Sequence, residues 1–507
     1  MGGGMHRHGR MDVREGKRQS DKVQNGYLTV GLSLCLAVLL SLCLTLIDGV
    51  RRNGARLEIE CITDIGMHSI MAEYHRELMR QYNLFAIDSS YGTDLCVKAN
   101  TEAHLRKYLS ENLNGRDDLF SNLIYGDLLA LSLEEAELTK VSILTDYEGA
   151  VFRGRAVDAI KADVGLGLLA ELQGWMQEVE VNGLDDGKEE AEKEALDQQI
   201  GQWITEYDNT EVETEEGGVE TVELDNPTDG LEAKKKQGIL KLVLENEAAL
   251  SANRINAENL IGARMEGMQI NRGNAEYEEP GDAEKLAEKF VFQEYLLSYM
   301  GRYGKVSAED ALQYQIEYLI AGKNTDADNL KNVANRLCAL REAANAMYLL
   351  SNEAKRAEIK VAAGLVCTLI MLPELTPLLE GAILLGWAYA ESIYDVKSLL
   401  AGGKVPLWKD DNSWHYSLSA ALEGDLGDSS QDGQGLSYQD YLRIFMMFTD
   451  TDILTARAMN MVEADIRKTP GNSAFRLDGC YEMVEARIRI GSSHGFHYEI
   501  TRKKRYQ

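Results

Sequence analysis

Residues 27–47, YLTVGLSLCLAVLLSLCLTLI, contain no charged side chain. As a helix this run would be about 31 Å long, which matches the hydrocarbon core of a bilayer. No other feature limits the fold as strongly, because a helix apolar on every side has to be surrounded by lipid or protein. The leader before it carries Arg7, Arg10, Arg14, Lys17, Arg18 and Lys22. Beyond it, Arg51, Arg52 and Arg56 give way to Glu58, Glu60 and Asp64. That balance predicts a cytoplasmic N-terminus and an extracytoplasmic body, a single-pass protein of the cell membrane.

The run is too long for an ordinary cleaved signal, and no small-x-small site follows it. Leu34 precedes Cys35 and Leu42 precedes Cys43, where lipid attachment needs a small residue. His6 stands where a myristoylation motif has Ser or Thr. Two readings remain. One is an uncleaved signal anchor, which the run's length favours. The other is pilin-type processing between Gly26 and Tyr27, since a basic leader, a glycine and a retained apolar helix resemble a prepilin signal. Gly31 occupies the position at which such helices carry glutamate.

Charge separates the leader from the body. The chain has 53 basic and 82 acidic residues, a net charge of -29, yet residues 1–56 hold nine basic and four acidic ones. So acidic a body repels phosphate backbones, which argues against nucleic-acid binding. Its seven cysteines show no CxxC pair or zinc spacing and read as packed thiols. A disulfide involving Cys61 or Cys96 is not indicated. No metal, cofactor or catalytic residue is expected.

Seven segments follow along the chain: a basic leader (1–26), a transmembrane helix (27–47), a stalk helix and first strand (48–100), a mixed α/β region (101–205), an acidic flexible segment (206–236), a helical body (237–400) and a C-terminal α+β region (401–507). Leu57, Ile62, Ile65, Ile70, Tyr74, Leu78 and Tyr82 continue the helical period beyond the membrane, up to Asn83. Glu206–Glu232 holds eleven acidic residues and no Lys or Arg, the composition of a solvated linker; the DxDxDG order of a calcium loop is absent. Ser307 reads as the cap of a helix through AEDALQYQIEYLIAG, stopped by Gly322. A short turn then leads into DADNLKNVANRLCALREAANAMYLLSN, which predicts an αα-hairpin. Pro373 and Pro377 split 361–390 into apolar runs too short to span a bilayer, so two buried helices are expected, with a partner groove or a re-entrant element as alternatives. GGKVPLW lacks the Gly and the Ser/Thr of a phosphate loop, since Ser398 and Val405 stand at those positions. WHYSLSA reads as hairpin-like. The last two segments, SAFRLDGCYEMVEARIRI and FHYEITRKKRYQ, read as a β-hairpin whose basic tail is a solvated edge, with an acidic neighbour as the alternative. The fold class is α+β and predominantly helical.

Glu317, Arg341, Glu342 and Asn345 lie among apolar residues. They read as a paired polar network that fixes helix register, with Arg341 as the cation available to Glu317. The competing reading is an acid/base cluster: a cell-envelope hydrolase using Glu317, Glu342 or Glu391, which needs two solvent-open carboxylates about 5–10 Å apart. A third is a cation-responsive surface sensor built on the acidic segment.

Several stretches together resemble a known group of proteins: GYLTVGLSLCLAVLLSLCLTLIDGVR, MAEYHRELMRQYNLFAID, TDYEGAVFRGRAVDAIK, LQYQIEYLIAGKNTDADNLKNVANRLCALREAANAMYLL, WAYAESIYDVKSLLAGGKVPLWK and LSYQDYLRIFMMF. They resemble an uncharacterised family of single-span membrane proteins from Gram-positive anaerobes, encoded beside genes for the tight-adherence (Tad/Flp) pilus. The resemblance implies an accessory or minor structural component of a Tad-like pilus or secretion assembly. Its partners would be the membrane and assembly proteins, and the family supplies no catalytic residues.

Overall fold

The computed structural model describes residues 12–114, 129, 131–162, 166–182, 210–213, 219–222, 234, 236–277, 281–369, 375–424, 426–427, 433–493 and 495–506. Most of these are helical, with some antiparallel strands. Contacts divide the chain into two units. One is Met1–Glu73, Lys98–Thr139 and Val484–Lys504; the other is Tyr74–Val97, Lys140–Met483 and Arg505–Gln507.

The first described element is α1, one helix from Asp12 to Met71. Its turns from Tyr27 to Val50 are exposed all round. Among the described residues it is the helix long and apolar enough to cross a membrane. From Ala55 onward the character changes: Ala55, Ile59, Ile62, Met67 and Ile70 are buried on one face. The helix does not run through to Tyr82 as the apolar spacing suggests. Tyr74 pairs instead with Ile87, and the His75 N–H donates to Ala86 O at 2.9 Å. The His75 ring then accepts the Leu78 N–H and starts α2 (Arg76–Tyr82), which Asn83 ends in the left-handed region at φ 52°.

After β1 (Ile87–Asp88) comes α3 (Lys98–Asn114), which packs on the second half of α1. Gly66 sits against α3: a Cβ there would lie 2.7 Å from Leu109 Cδ2. Next are β2 (Leu131–Ile143), α4 (Ala150–Ile160) and α5 (Leu166–Val181). A two-stranded sheet, β3 (Thr210–Glu213) and β4 (Val219–Val222), lies in the acidic segment. The rest of 206–236, apart from 234 and 236, is outside the described residues, as are Pro373 and Glu374. The helical core of the second unit follows: α6 (Ile239–Val243), α7 (Ile261–Glu266), α8 (Asp282–Tyr299), α9 (Gln315–Ala321), α10 (Asp326–Ser351), α11 (Glu353–Leu369) and α12 (Thr376–Leu400). The remaining elements are β5 (Lys404–Val405), α13 (Leu418–Glu423), β6 (Leu436–Ser437), α14 (Tyr438–Phe448), α15 (Thr451–Lys468), β7 (Cys480–Ser492) and β8 (His497–Arg505).

Strand β7 pairs with β2, β8 and, at its start, β1. In the first unit an alternating charge ladder crosses the strands: Arg489 meets Glu135 at 3.2 Å and Glu499 at 3.0 Å, and Arg487 meets Glu137. The basic C-terminal strand is not simply solvated. Arg502 Nε donates to Asp64 at 3.3 Å and the Tyr498 hydroxyl to Arg52 O at 3.0 Å, both on α1.

The helix expected from Ser307 begins only at Gln315. Buried carboxylates take the backbone donors that helix formation would need. Asp465 accepts the Ala311 N–H at 2.5 Å, and Asp326 accepts those of Gln313 and Tyr314, each at 2.9 Å. Gly322 ends α9 at φ 69°, and Arg457 covers the last carbonyls, donating to Leu319 O at 2.7 Å and Ile320 O at 2.9 Å. The turn into α10 is as short as expected, and the two helices pack together. Of the two helices expected to be buried, α12 fits. By contrast, α11 buries Ile359, Ala363 and Cys367 but exposes Val361 and Leu365.

Candidate functional site

Among the described residues, α10 and α12 make the most extensive helix–helix contact. On α10 the buried stripe holds Ala334, Leu337, Cys338, Arg341, Ala344 and Asn345. On α12 it holds Trp387, Ala388, Glu391, Ser392 and Asp395. Residues three or four apart share a helix face, so the charged positions project into the same seam as the apolar ones. Arg341, Asn345, Glu391 and Asp395 are fully buried, and Lys409, from the loop after β5, joins them.

Every charge there has a partner. Arg341 Nε donates to Asp395 Oδ2 at 3.0 Å. Its Nη1 reaches Leu407 O at 2.7 Å and the Tyr441 hydroxyl at 3.2 Å, and its Nη2 reaches Asn345 Oδ1 at 3.2 Å. Asn345 Nδ2 closes the ring by donating to Asp395 Oδ2 at 3.1 Å. The Lys409 ammonium lies 2.6 Å from Asp395 Oδ1 and also bonds Glu391 Oε1. Glu391 further accepts the N–H groups of His415 at 3.0 Å and Tyr416 at 2.9 Å. Burial alone would raise the Glu391 carboxyl; the His415 ring, Lys409 and the Tyr416 N–H overcome this and hold it below the ordinary range. Two cations thus neutralise two anions in the core, and the network ties α10, α12, α14 and the 404–416 loop together. WHYS is therefore not a hairpin arm. It is a loop whose backbone wraps the Glu391 carboxylate.

The structure divides the four residues grouped in the sequence reading. Arg341 and Asn345 meet. Glu317 bonds elsewhere: it accepts the Tyr303 N–H at 3.0 Å and the Tyr438 hydroxyl at 2.8 Å. Burial pushes its carboxyl up to about 7, against the pull of those two donors. Glu342 is half-buried, near Tyr389, because one residue along a helix turns about 100° away from Arg341. Asp395, Lys409 and Tyr441 were missed. Asp395 has a faint signal, four residues after Glu391 on an apolar helix; Lys409 has none.

Two other buried clusters were also missed. Glu463 takes Arg264 in a two-pronged pair, Nη1 at 2.8 Å and Nη2 at 2.7 Å, and also binds Arg467 at 2.6 Å and the Leu477 N–H at 3.0 Å. Asp478 binds Arg264 at 2.8 Å and Arg476 at 2.7 Å. Burial would raise the Asp478 carboxyl, but Arg476 and Arg264 outweigh it and hold it low. The second cluster centres on Asp465, which accepts from Gln315 Nε2 at 2.6 Å, from the Ala311 N–H and from the Tyr82 hydroxyl. Burial pushes this carboxyl up to about 7. All seven cysteines are free thiols, with Cys338, Cys367 and Cys480 buried.

Apart from Tyr82, the residues of these clusters lie in one stretch of sequence, and that stretch has relatives. Residues 217–492 match the family described as "Family of unknown function (DUF5702)". The chain belongs to the DUF5702 family. The matched segment contains α10, α12, the ionic seam and the Arg264 cluster, so the family region coincides with the core of the second unit. Helix α1 lies outside it. No curated protein and no solved structure matches the chain.

Proposed function

We propose that this DUF5702 protein is a membrane-anchored, extracytoplasmic accessory or minor structural component of a Tad-like pilus or related secretion assembly, acting by binding other proteins rather than by catalysis. The observation that carries the anchored, extracytoplasmic part of the reading is α1, and the pilus part is what the resemblance implies. The α1 segment is one helix, bare and apolar over Tyr27–Ile47 and packed against protein from Ala55. An anchor and a folded domain on one helix transmit position without a flexible joint. The basic leader supports an inside N-terminus. The buried carboxylates support a scaffolding role. Glu391 and Asp395 are shut in against Lys409 and Arg341, whereas acid/base chemistry needs carboxylates that a substrate can reach.

Deleting the gene is expected to reduce surface pili and adhesion. Normal pili and normal adhesion in the deletion strain would remove the proposal. Mass spectrometry of the native N-terminus separates two forms of it. A chain starting at Tyr27 is a processed assembly subunit, and an intact leader is a fixed anchor.

A further inference from the structure

A second feature of the DUF5702 segment lies away from the ionic seam. An open pocket of about 360 Å³ sits where the 253–256 segment meets the end of α15. Its volume is within the range of small-ligand sites, roughly 300–1,000 Å³. Ile255, Leu260, Ala311 and Ala464 form an apolar wall. Arg254 and Lys468, with the amides of Asn253 and Asn256, form the polar rim.

Arg254 is the unusual member. The Ile255 N–H donates to Asn324 O at 2.9 Å and the Asp326 N–H to Asn253 O at 3.1 Å, which makes an antiparallel bridge between Arg254 and Thr325. In that pattern the N–H and C=O of Arg254 itself point away from the bridge. Among the described residues neither they nor the guanidinium has a partner. The buried or half-buried arginines Arg264, Arg341, Arg443 and Arg476 of this unit are bound by carboxylates, whereas Arg254 is left to solvent at the pocket. Of the nearby acids, Asp465 accepts from Ala311, Gln315 and Tyr82, Asp326 from Gln313, Tyr314 and Ser251, and the half-buried Asp310 bonds Ser307 and lies within electrostatic reach of Lys468. Lys468 leans on Asp310 O at 2.7 Å, which keeps its ammonium at the rim. In a chain of net charge -29 the charges lining this pocket are therefore cationic.

We infer that this pocket binds a carboxylate carried on a short apolar stem, the acid on the planar fork of Arg254 and the stem against Ile255, Leu260, Ala311 and Ala464. The carboxylate could belong to a free small acid or to the chain end of a peptide, since both present the same group. This inference does not depend on where α1 resides.

The full-length protein in detergent micelles is titrated with three probes by calorimetry and saturation-transfer NMR. The probes are N-acetyl-leucine, N-acetyl-leucinamide and the peptide acid N-acetyl-Ala-Ala-Leu. The two acids are expected to saturate and the amide to bind about tenfold more weakly, because the amide removes the charge-assisted bonds and keeps the shape. Arg254→Ala should abolish the difference between acid and amide without changing the melting temperature, since Arg254 is exposed. Raising salt from about 0.05 to 0.5 M should weaken the acids and leave the amide unchanged, which tests the charge in the unaltered protein. Tighter binding of the peptide acid assigns the site to a chain end; equal binding assigns it to a small acid. Equal affinities for acid and amide, unchanged acid binding in Arg254→Ala, or no binding of any probe would each overturn the inference.

Discussion

Arg341 Nε and Asp395 Oδ2 face each other at 3.0 Å between α10 and α12, with both side chains closed off from solvent. A pair this deep contributes mainly when complete. Removing charges from water costs several kcal/mol, and mutual attraction offsets that only while both partners remain. Asp395→Leu or Arg341→Met should each destabilise by about 3–5 kcal/mol. The double variant Arg341→Met/Asp395→Leu leaves Lys409 paired with Glu391 and should recover much of the loss. Thermal melts of the three variants in one detergent check this; a double variant no better than the sum of the singles would show that the residues do not act as a pair.

Arg264 serves two buried carboxylates, Glu463 and Asp478, but shares each with another arginine. Arg264→Met should therefore cost less than the loss of Arg341, about 2–4 kcal/mol, because Arg467 and Arg476 remain. Parallel denaturant titrations of Arg264→Met and Arg341→Met give the order.

Two carboxyls give stability a pH dependence opposite in sign to the usual one for acids. Burial raises Glu317 and Asp465 to about 7. Their folded values lie above their unfolded ones, so the stability they contribute is complete at about pH 4 and is lost as pH rises through 7. The melting temperature should fall between about pH 5 and 8, and Glu317→Gln should flatten that slope by removing on the order of 2–3 kcal/mol of the dependence. A slope unchanged in Glu317→Gln would show that this carboxyl does not titrate in that window.

At Gly66 helix α1 touches α3, and a Cβ would lie 2.7 Å from Leu109. Gly66→Val should force α1 and α3 apart and cost about 1–3 kcal/mol. Hydrogen exchange should then speed up in α3 while α10 and α12 stay protected.

The sequence by itself determined the features that depend on local composition and period. The uncharged run over Tyr27–Ile47, the helical character of the body, the stops at Asn83 and Gly322, and the terminal strands are all set by neighbours within a few residues. Arg341 and Asn345 could be read as partners because four residues on a helix bring side chains together. Only tertiary structure decided the rest. Lys409 reaches Glu391 and Asp395 from another segment, and Asp326 and Asp465 remove the helix expected from Ser307 by taking its backbone donors. Strand β8 returns to α1 through Arg502 and Asp64, residues far apart in the chain. Local pattern shows that a residue is polar among apolar neighbours. Which distant donor or charge satisfies it depends on how the chain packs, since a buried polar group must be paired by whatever the fold brings within reach.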